Sequence, residues 1–282
     1  MIYDSMPELQ VFFTGSSVLD INKGQADLSR RAVIYSMQGL SFREFMQLKY
    51  GISLRVLQFK EVLEGKTNSL NIETPIKLFK EYCECGYYPF FNVPDYEVKL
   101  QQIVNQTLEF DIPQFANMSI LTGLKLKKLM AIIAKSAPFK PNMVKLASQI
   151  GSSRNSMENN FALMEKAGMI MRLKSGGDTL KNLGKVEKIY LDNTNLIYAL
   201  AGDLSNKGNL RETFFTNQVR VVKECHASKA TDFEVEGITF EVGGKNKGFD
   251  QVKSQNEAYV VKDDIEFATK RTIPLWAFGL LY

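Results

Sequence analysis

Apolar residues recur along this chain at two periods, and each period predicts its own kind of element. Met143, Leu146, Ala147 and Ile150 fall at i, i+3, i+4 and i+7, one face of a helix that Pro141 and Asn142 open. Gly151-Ser152 predicts a turn and Ser153 a cap for a second helix, in which Met157, Phe161, Met164 and Ala167 recur until Gly168 ends it. Met169–Leu173 and Lys188–Leu191 then read as strands either side of the loop Ser175-Gly176-Gly177. Helix, short turn, helix and hairpin together predict a winged helix.

The flanking regions follow the same two patterns. Gln10-Val11-Phe12-Phe13-Thr14 reads as a short buried strand ending in the polar turn Gly15-Ser16-Ser17. Ser41 with Glu44 three residues on predicts a capping box. Residues 41–121 read as helices, with Ile76, Leu78, Phe79 and Tyr82 near one face and an aromatic loop at 86–91. Short helices are expected at 195–200 and 211–219, and further strands at 258–261 and 273–278, so that the closing IPLWAFGLLY reads as a buried strand. Between them a hairpin is expected, Asp232–Val235 and Ile238–Val242 about a turn at Glu236-Gly237. That two-residue loop sets Asp232 opposite Glu241. Like charges opposed across a hairpin destabilise it. Either a divalent cation bridging the two carboxylates or a raised pKa on one of them would relieve the conflict.

Charge divides the chain in a way the net value of +4 conceals. Residues 122–190 carry +9, whereas 1–121 carry −3 and 191–282 carry −2. A basic segment between acidic neighbours is an electrostatic footprint for nucleic acid or, equally, a solvated lysine face. In a helix-turn-helix the first residues of the second helix meet the groove, here Arg154, Asn155, Ser156 and Asn159. The hairpin adds Arg172, Lys174, Lys181 and Lys185. Winged helices also serve as protein contacts, so DNA docking and an oligomer contact both stay open. Three cysteines, Cys83, Cys85 and Cys225, fit neither a disulfide framework nor a zinc site, and they point to a reducing cytosol. With no apolar run near membrane-spanning length and an acidic start unlike a secretory signal, the expectation is a cytoplasmic protein with no membrane partner.

The run VFFTGSSVLDINKGQADLSRRAVIYSMQGLSFREF resembles the sensor-1 strand and following segment of bacterial and archaeal AAA-family ATPases that carry a C-terminal domain of unknown function. The resemblance implies that Thr14, Ser16 and Ser17 face the γ-phosphate and that Arg31, rather than Arg30, matches the arginine finger. It also implies a helical lid over 39–121, and it extends through the winged helix. Walker A and Walker B are absent from the sequence. Gly65-Lys66-Thr67 imitates the end of a phosphate-binding loop, but Lys60 stands where its first glycine is required. ATP hydrolysis is therefore not expected of this chain alone, and ATP only with the missing N-terminal half.

Helix, hairpin, helix and strand, with Asp232 and the run Glu241-Val242-Gly243-Gly244-Lys245 on the hairpin, resemble the PD-(D/E)XK nuclease fold. The resemblance implies that Asp232 and Glu241 hold Mg²⁺, that Lys245 orients the attacking water, and that Glu212 supplies a further acid. The departure is the spacing, since the usual Glu-x-Lys would put the lysine at Gly243. Active nuclease, binding without cleavage, and a purely structural domain all remain open. His226, the sole histidine, reads as a surface loop residue. The expected fold is thus multidomain, α/β and α+β: an AAA sheet remnant over 1–38, a helical lid over 39–121, a winged helix over 122–191 and a restriction-endonuclease-like αβ domain over 192–282. Two functions compete: a DNA-associated module, and an assembly component that forms a homo-oligomer or depends on a partner ATPase chain.

Overall fold

Tyr282 meets the N-terminus of the first long helix among the described residues. In the computed structural model, which describes residues 5–6, 8–12, 33, 35–135, 140, 142–176, 186–202, 206–249 and 257–282, that helix is α1, Phe42–Tyr50. Ser41 Oγ accepts from the Glu44 amide at 3.2 Å while Glu44 Oε2 accepts from the Ser41 amide at 2.9 Å, the expected capping box. Ser41 Oγ also donates to the Tyr282 carbonyl oxygen at 2.8 Å, and Arg43 Nε reaches the same oxygen at 2.8 Å. Gly279 lies against α1 so closely that a Cβ there would stand 2.5 Å from Phe42 Cβ.

The described helices continue as α2 (Phe59–Leu63), α3 (Pro75–Glu81), α4 (Tyr96–Gln106), α5 (Ile112–Phe115), α6 (Ile120–Lys135), α7 (Met143–Ile150) and α8 (Arg154–Lys166). The hairpin β1 (Ile170–Lys174) and β2 (Val186–Leu191) follows, then α9 (Thr194–Ala201) and α10 (Lys207–Val219). Among the described residues five short strands follow: β3 (His226–Ala227), β4 (Phe233–Val235), β5 (Ile238–Gly243), β6 (Ala258–Lys262) and β7 (Thr272–Pro274). They form a sheet in the order β3-β4-β5-β6-β7, antiparallel up to β5 and parallel from β5 to β7. The architecture is mixed α and β with two sheets among the described residues.

The β1-β2 hairpin divides two hydrophobic cores, because successive side chains of a strand point to opposite faces. Met171, Leu173 and Tyr190 join one core with α1, α3, α10 and the five-stranded sheet. Ile170, Ile189 and Leu191 join the other, with α4 and α6–α9. The base of the expected wing is therefore buried on both faces rather than free.

Buried polar side chains lock the two halves together. A π-turn at Tyr82–Gly86 follows α3 and presents backbone carbonyl groups to α9. Asn195 in α9, fully buried, donates to two of them, Tyr82 O at 3.0 Å and Cys83 O at 2.8 Å. Its Oδ1 accepts from the Tyr87 amide at 2.8 Å and the Tyr96 hydroxyl at 2.6 Å. Gly86 is required there, since a Cβ would lie 2.6 Å from the Tyr82 ring and 2.8 Å from that of Phe45.

Several expectations need correction. Residues 10–12 carry no strand, and Phe12 is 93% exposed. A strand needs a neighbour to satisfy its backbone, and none pairs with this segment among the described residues. The rest of that segment, including Thr14, Ser16, Ser17 and Arg31, lies outside the described residues, as do Lys181 and Lys185. The chain end is a strand only as far as Pro274; Leu275–Leu280 is a buried 3-10 helix. His226 sits in β3, half-buried, opposite Glu234 rather than in a loop.

Replacing Asn195 by Ala would remove four hydrogen bonds, with the Tyr87 amide, the Tyr96 hydroxyl and the Tyr82 and Cys83 carbonyls. The expected loss is roughly 3 kcal/mol of stability, read as a drop in Tm by circular dichroism. An unchanged Tm would contradict the role given to Asn195.

Candidate functional site

The hairpin expected at 232–242 forms in the expected register, with Phe233 opposite Phe240 and Val235 opposite Ile238. Glu236 and Gly237 both take positive φ, 51° and 79°, as the tight turn demands. Asp232 stands just before β4, and its Oδ2 accepts from the Val242 amide at 3.0 Å. Glu241 on β5 is buried, as is Glu212 on α10. The three acids gather at one place, with Asp232 and then Glu212 each repelling charge on Glu241.

Two lysines answer them. Lys188 of β2 donates to Glu212 Oε2 at 2.9 Å and to Asp232 Oδ1 at 3.3 Å. The Tyr190 hydroxyl adds a bond of 2.6 Å to the same Glu212 oxygen. Lys188 and Tyr190 reach the acids together because they lie two residues apart on one face of β2. Burial disfavours the Lys188 ammonium, but Glu212 and then Asp232 outweigh that and raise its pKa. On the other side Lys247 pairs with Glu241. Burial pushes the Glu241 carboxyl above the usual range; Lys247 offsets this only in part, and Asp232 adds to it.

The lysine at the site is thus Lys247, not Lys245, which is exposed. The Lys247 amide bonds the Gly244 carbonyl at 2.9 Å, closing a turn that folds the chain back over β5. The stem of Lys247 then fills the space above Gly243, where a Cβ would come within 2.7 Å of Lys247 Cγ. That is the position a Glu-x-Lys spacing assigns to the lysine. The glycine makes room, and a residue four positions on occupies it. The pattern Gly243-Gly244 followed by two lysines signals such a turn, although it does not say which lysine returns.

The arrangement does not fit Mg²⁺ as it stands. The place between Asp232 and Glu212 holds the Lys188 ammonium, and Glu212 Oε2 already accepts two hydrogen bonds. Among the described residues no group of three or more His, Cys, Asp or Glu side chains could hold a metal ion.

The expected DNA-facing residues divide. Ser153 caps α8, its Oγ accepting from the Ser156 amide at 3.2 Å. With Met157, Asn160, Phe161 and Met164 turned inward, Arg154, Asn155, Ser156 and Asn159 are left exposed. Lys174 at the end of β1 is exposed as well. Arg172 is not available to a ligand in the same way, because its Nε donates to Glu165 of α8 at 2.7 Å and its amide to the same carboxylate at 3.1 Å. The three cysteines are free thiols. No helix among the described residues is long and apolar enough to cross a membrane.

A profile described as a domain of unknown function (DUF8612) matches residues 76–207, from α3 through the β1-β2 hairpin to the start of α10. The chain is similar to the uncharacterized protein MJ1637 of Methanocaldococcus jannaschii, 24% identical over 202 residues. That alignment covers 67% of this chain and 41% of the relative, so the chain matches less than half of the relative's length. No solved structure matches the chain.

Because the native pKa of Glu241 is raised, the stability this group lends is full below the ordinary carboxylate pKa and is lost as pH rises through the raised value. Glu241→Gln is therefore expected to be more stable than the wild type at neutral pH, with the difference vanishing in acid. Tm measured against pH checks this. A variant less stable than the wild type at neutral pH would mean that the Lys247 pair outweighs burial.

Proposed function

We propose that this chain is a nucleic-acid-docking module from the C-terminal part of an AAA-family ATP-binding protein, in which a restriction-endonuclease-like domain binds without cleaving. The observation that carries the docking reading is the exposed first turn of α8. Arg154, Asn155, Ser156 and Asn159 stand free of the core on the face that a helix-turn-helix presents to a groove. Arg154 can meet a phosphate or the edge of a guanine, and the two asparagines can meet an adenine. Lys174 extends the basic surface along the hairpin. The ATPase relationship rests on the sequence resemblance of the N-terminal segment, and ATP chemistry belongs to the part of the protein that would carry the phosphate-binding loop.

The nuclease-like reading rests on the hairpin order, the parallel strands β5–β7 and the gathering of Glu212, Asp232, Glu241 and Lys247. Binding without cleavage is preferred because a lysine stands where the cation of such a site would be.

A second reading, an assembly component for a partner ATPase chain, has its own support. Val33, Tyr35 and Met37 are 76%, 88% and 94% exposed. Large exposed apolar side chains of this kind suit a contact with another subunit.

Fluorescence anisotropy with a labelled duplex across a salt series separates the two readings. DNA docking predicts binding that weakens with salt, with Arg154→Ala and Lys174→Ala each flattening the log–log slope by about 0.9. Arg172→Ala should leave the slope unchanged and lower stability instead, since that side chain is spent on Glu165. No binding, or binding indifferent to salt, would leave the assembly reading.

A further inference from the structure

The carboxylate cluster carries a cation of its own, and that cation comes from the other half of the molecule. Glu212 and Glu241 are buried and Asp232 is half-buried, so three like charges meet in a place with little water. Burying such charges is costly unless they are paired and hydrogen-bonded. Lys188 Nζ bridges two of them, at 2.9 Å from Glu212 Oε2 and 3.3 Å from Asp232 Oδ1, and its side chain is only 13% exposed. Its position is fixed by packing. Lys188 pairs with Leu173 across the hairpin, Tyr190 two residues on is buried, and the Phe233 ring lies 5.6 Å from the ammonium.

We propose that Lys188 is the resident cation of this cluster and holds the site closed to divalent metal ions. An ammonium is a point charge with three donors, and two of them are used on the oxygens that a bridging ion would need. Mg²⁺ binds oxygen at about 2.0–2.1 Å in a near-octahedral shell. An ion in that place would sit against the lysine nitrogen, so the two cannot share it. Glu212 Oε2 also accepts from Tyr190, and Asp232 Oδ2 from the Val242 amide, which leaves the oxygens oriented toward the lysine. Removing the ammonium without changing side-chain length leaves carboxylates that lack a counter-ion around a vacated seat, and an added divalent ion is the species that satisfies them. The ligand class is thus a hard divalent cation, admitted only when Lys188 is absent. The proposal extends the nuclease-like reading of the carboxylate site and is independent of DNA docking by α8.

The test is Mn²⁺ uptake followed by electron paramagnetic resonance of the free ion, with Tm recorded in Mn²⁺ and in chelator. Wild type is expected to leave the Mn²⁺ signal and its Tm unchanged. Lys188→Met is expected to bind Mn²⁺ at least about tenfold more tightly than wild type and to gain Tm in its presence. Asp232→Asn in the Lys188→Met background should abolish both effects. Should Lys188→Met fail to fold in chelator, folding restored by Mn²⁺ is the same result by another readout, and failure in both conditions overturns the proposal. So does a folded Lys188→Met that takes up no Mn²⁺, or a wild type that binds Mn²⁺ and loses it on Asp232→Asn substitution. Loss of duplex binding in Arg154→Ala bears on the docking reading alone.

Discussion

The bridge from Lys188 to Glu212 and Asp232 is the interaction on which the junction of the two cores depends. It joins the β1-β2 hairpin to α10 and to the first strands of the five-stranded sheet. Without it, three carboxylates would face one another across the start of the β4-β5 hairpin. With it, and with Lys247 on Glu241, the cluster holds three acids and two ammonium groups. The stabilising worth of such a buried arrangement is modest, because desolvation opposes it. Its structural consequence is larger, since a bridge with specific donors fixes how the two cores meet.

The same junction is built from apolar groups by simple alternation. One face of β1-β2 presents Met171, Leu173 and Tyr190 to the sheet core, and the other presents Ile170, Ile189 and Leu191 to the helical core. Asn195 closes the seam from the other direction by supplying donors to the π-turn carbonyls after α3. Asp192, between the hairpin and α9, adds an ion pair with Arg220 at 2.6 Å beyond α10. Polar groups with several partners each are thereby placed where the modules meet, and the apolar residues fill the volume on either side.

Much of this was legible in the residues, for reasons that also explain what was not. Helices α7 and α8 announce themselves by spacing and caps, and the register of the 233–240 hairpin follows from its two-residue turn. These are local rules. The identity of the lysine at Glu241 depends on a turn between Gly244 and Lys247, whereas the family resemblance implies Lys245. Lys188 and Tyr190 carry no local signal, because they lie 24 and 22 residues from Glu212 and more than 40 from Asp232, and only the folded hairpin brings them in. Arg172 reads from sequence as a ligand-facing residue, whereas in the fold it pairs with Glu165 of α8. The closing segment reads as a strand by composition, yet it coils into a 3-10 helix after Pro274.

The central claim is that Lys188 and the acids act as one unit across the junction, and a double-mutant cycle measures that directly. Stabilities of wild type, Lys188→Met, Glu212→Gln and the double variant, from urea unfolding at neutral pH, give the coupling energy. Residues in one buried network couple by about 0.5–3 kcal/mol, and a value in that range is predicted. Additive effects, with no coupling beyond error, would contradict the account.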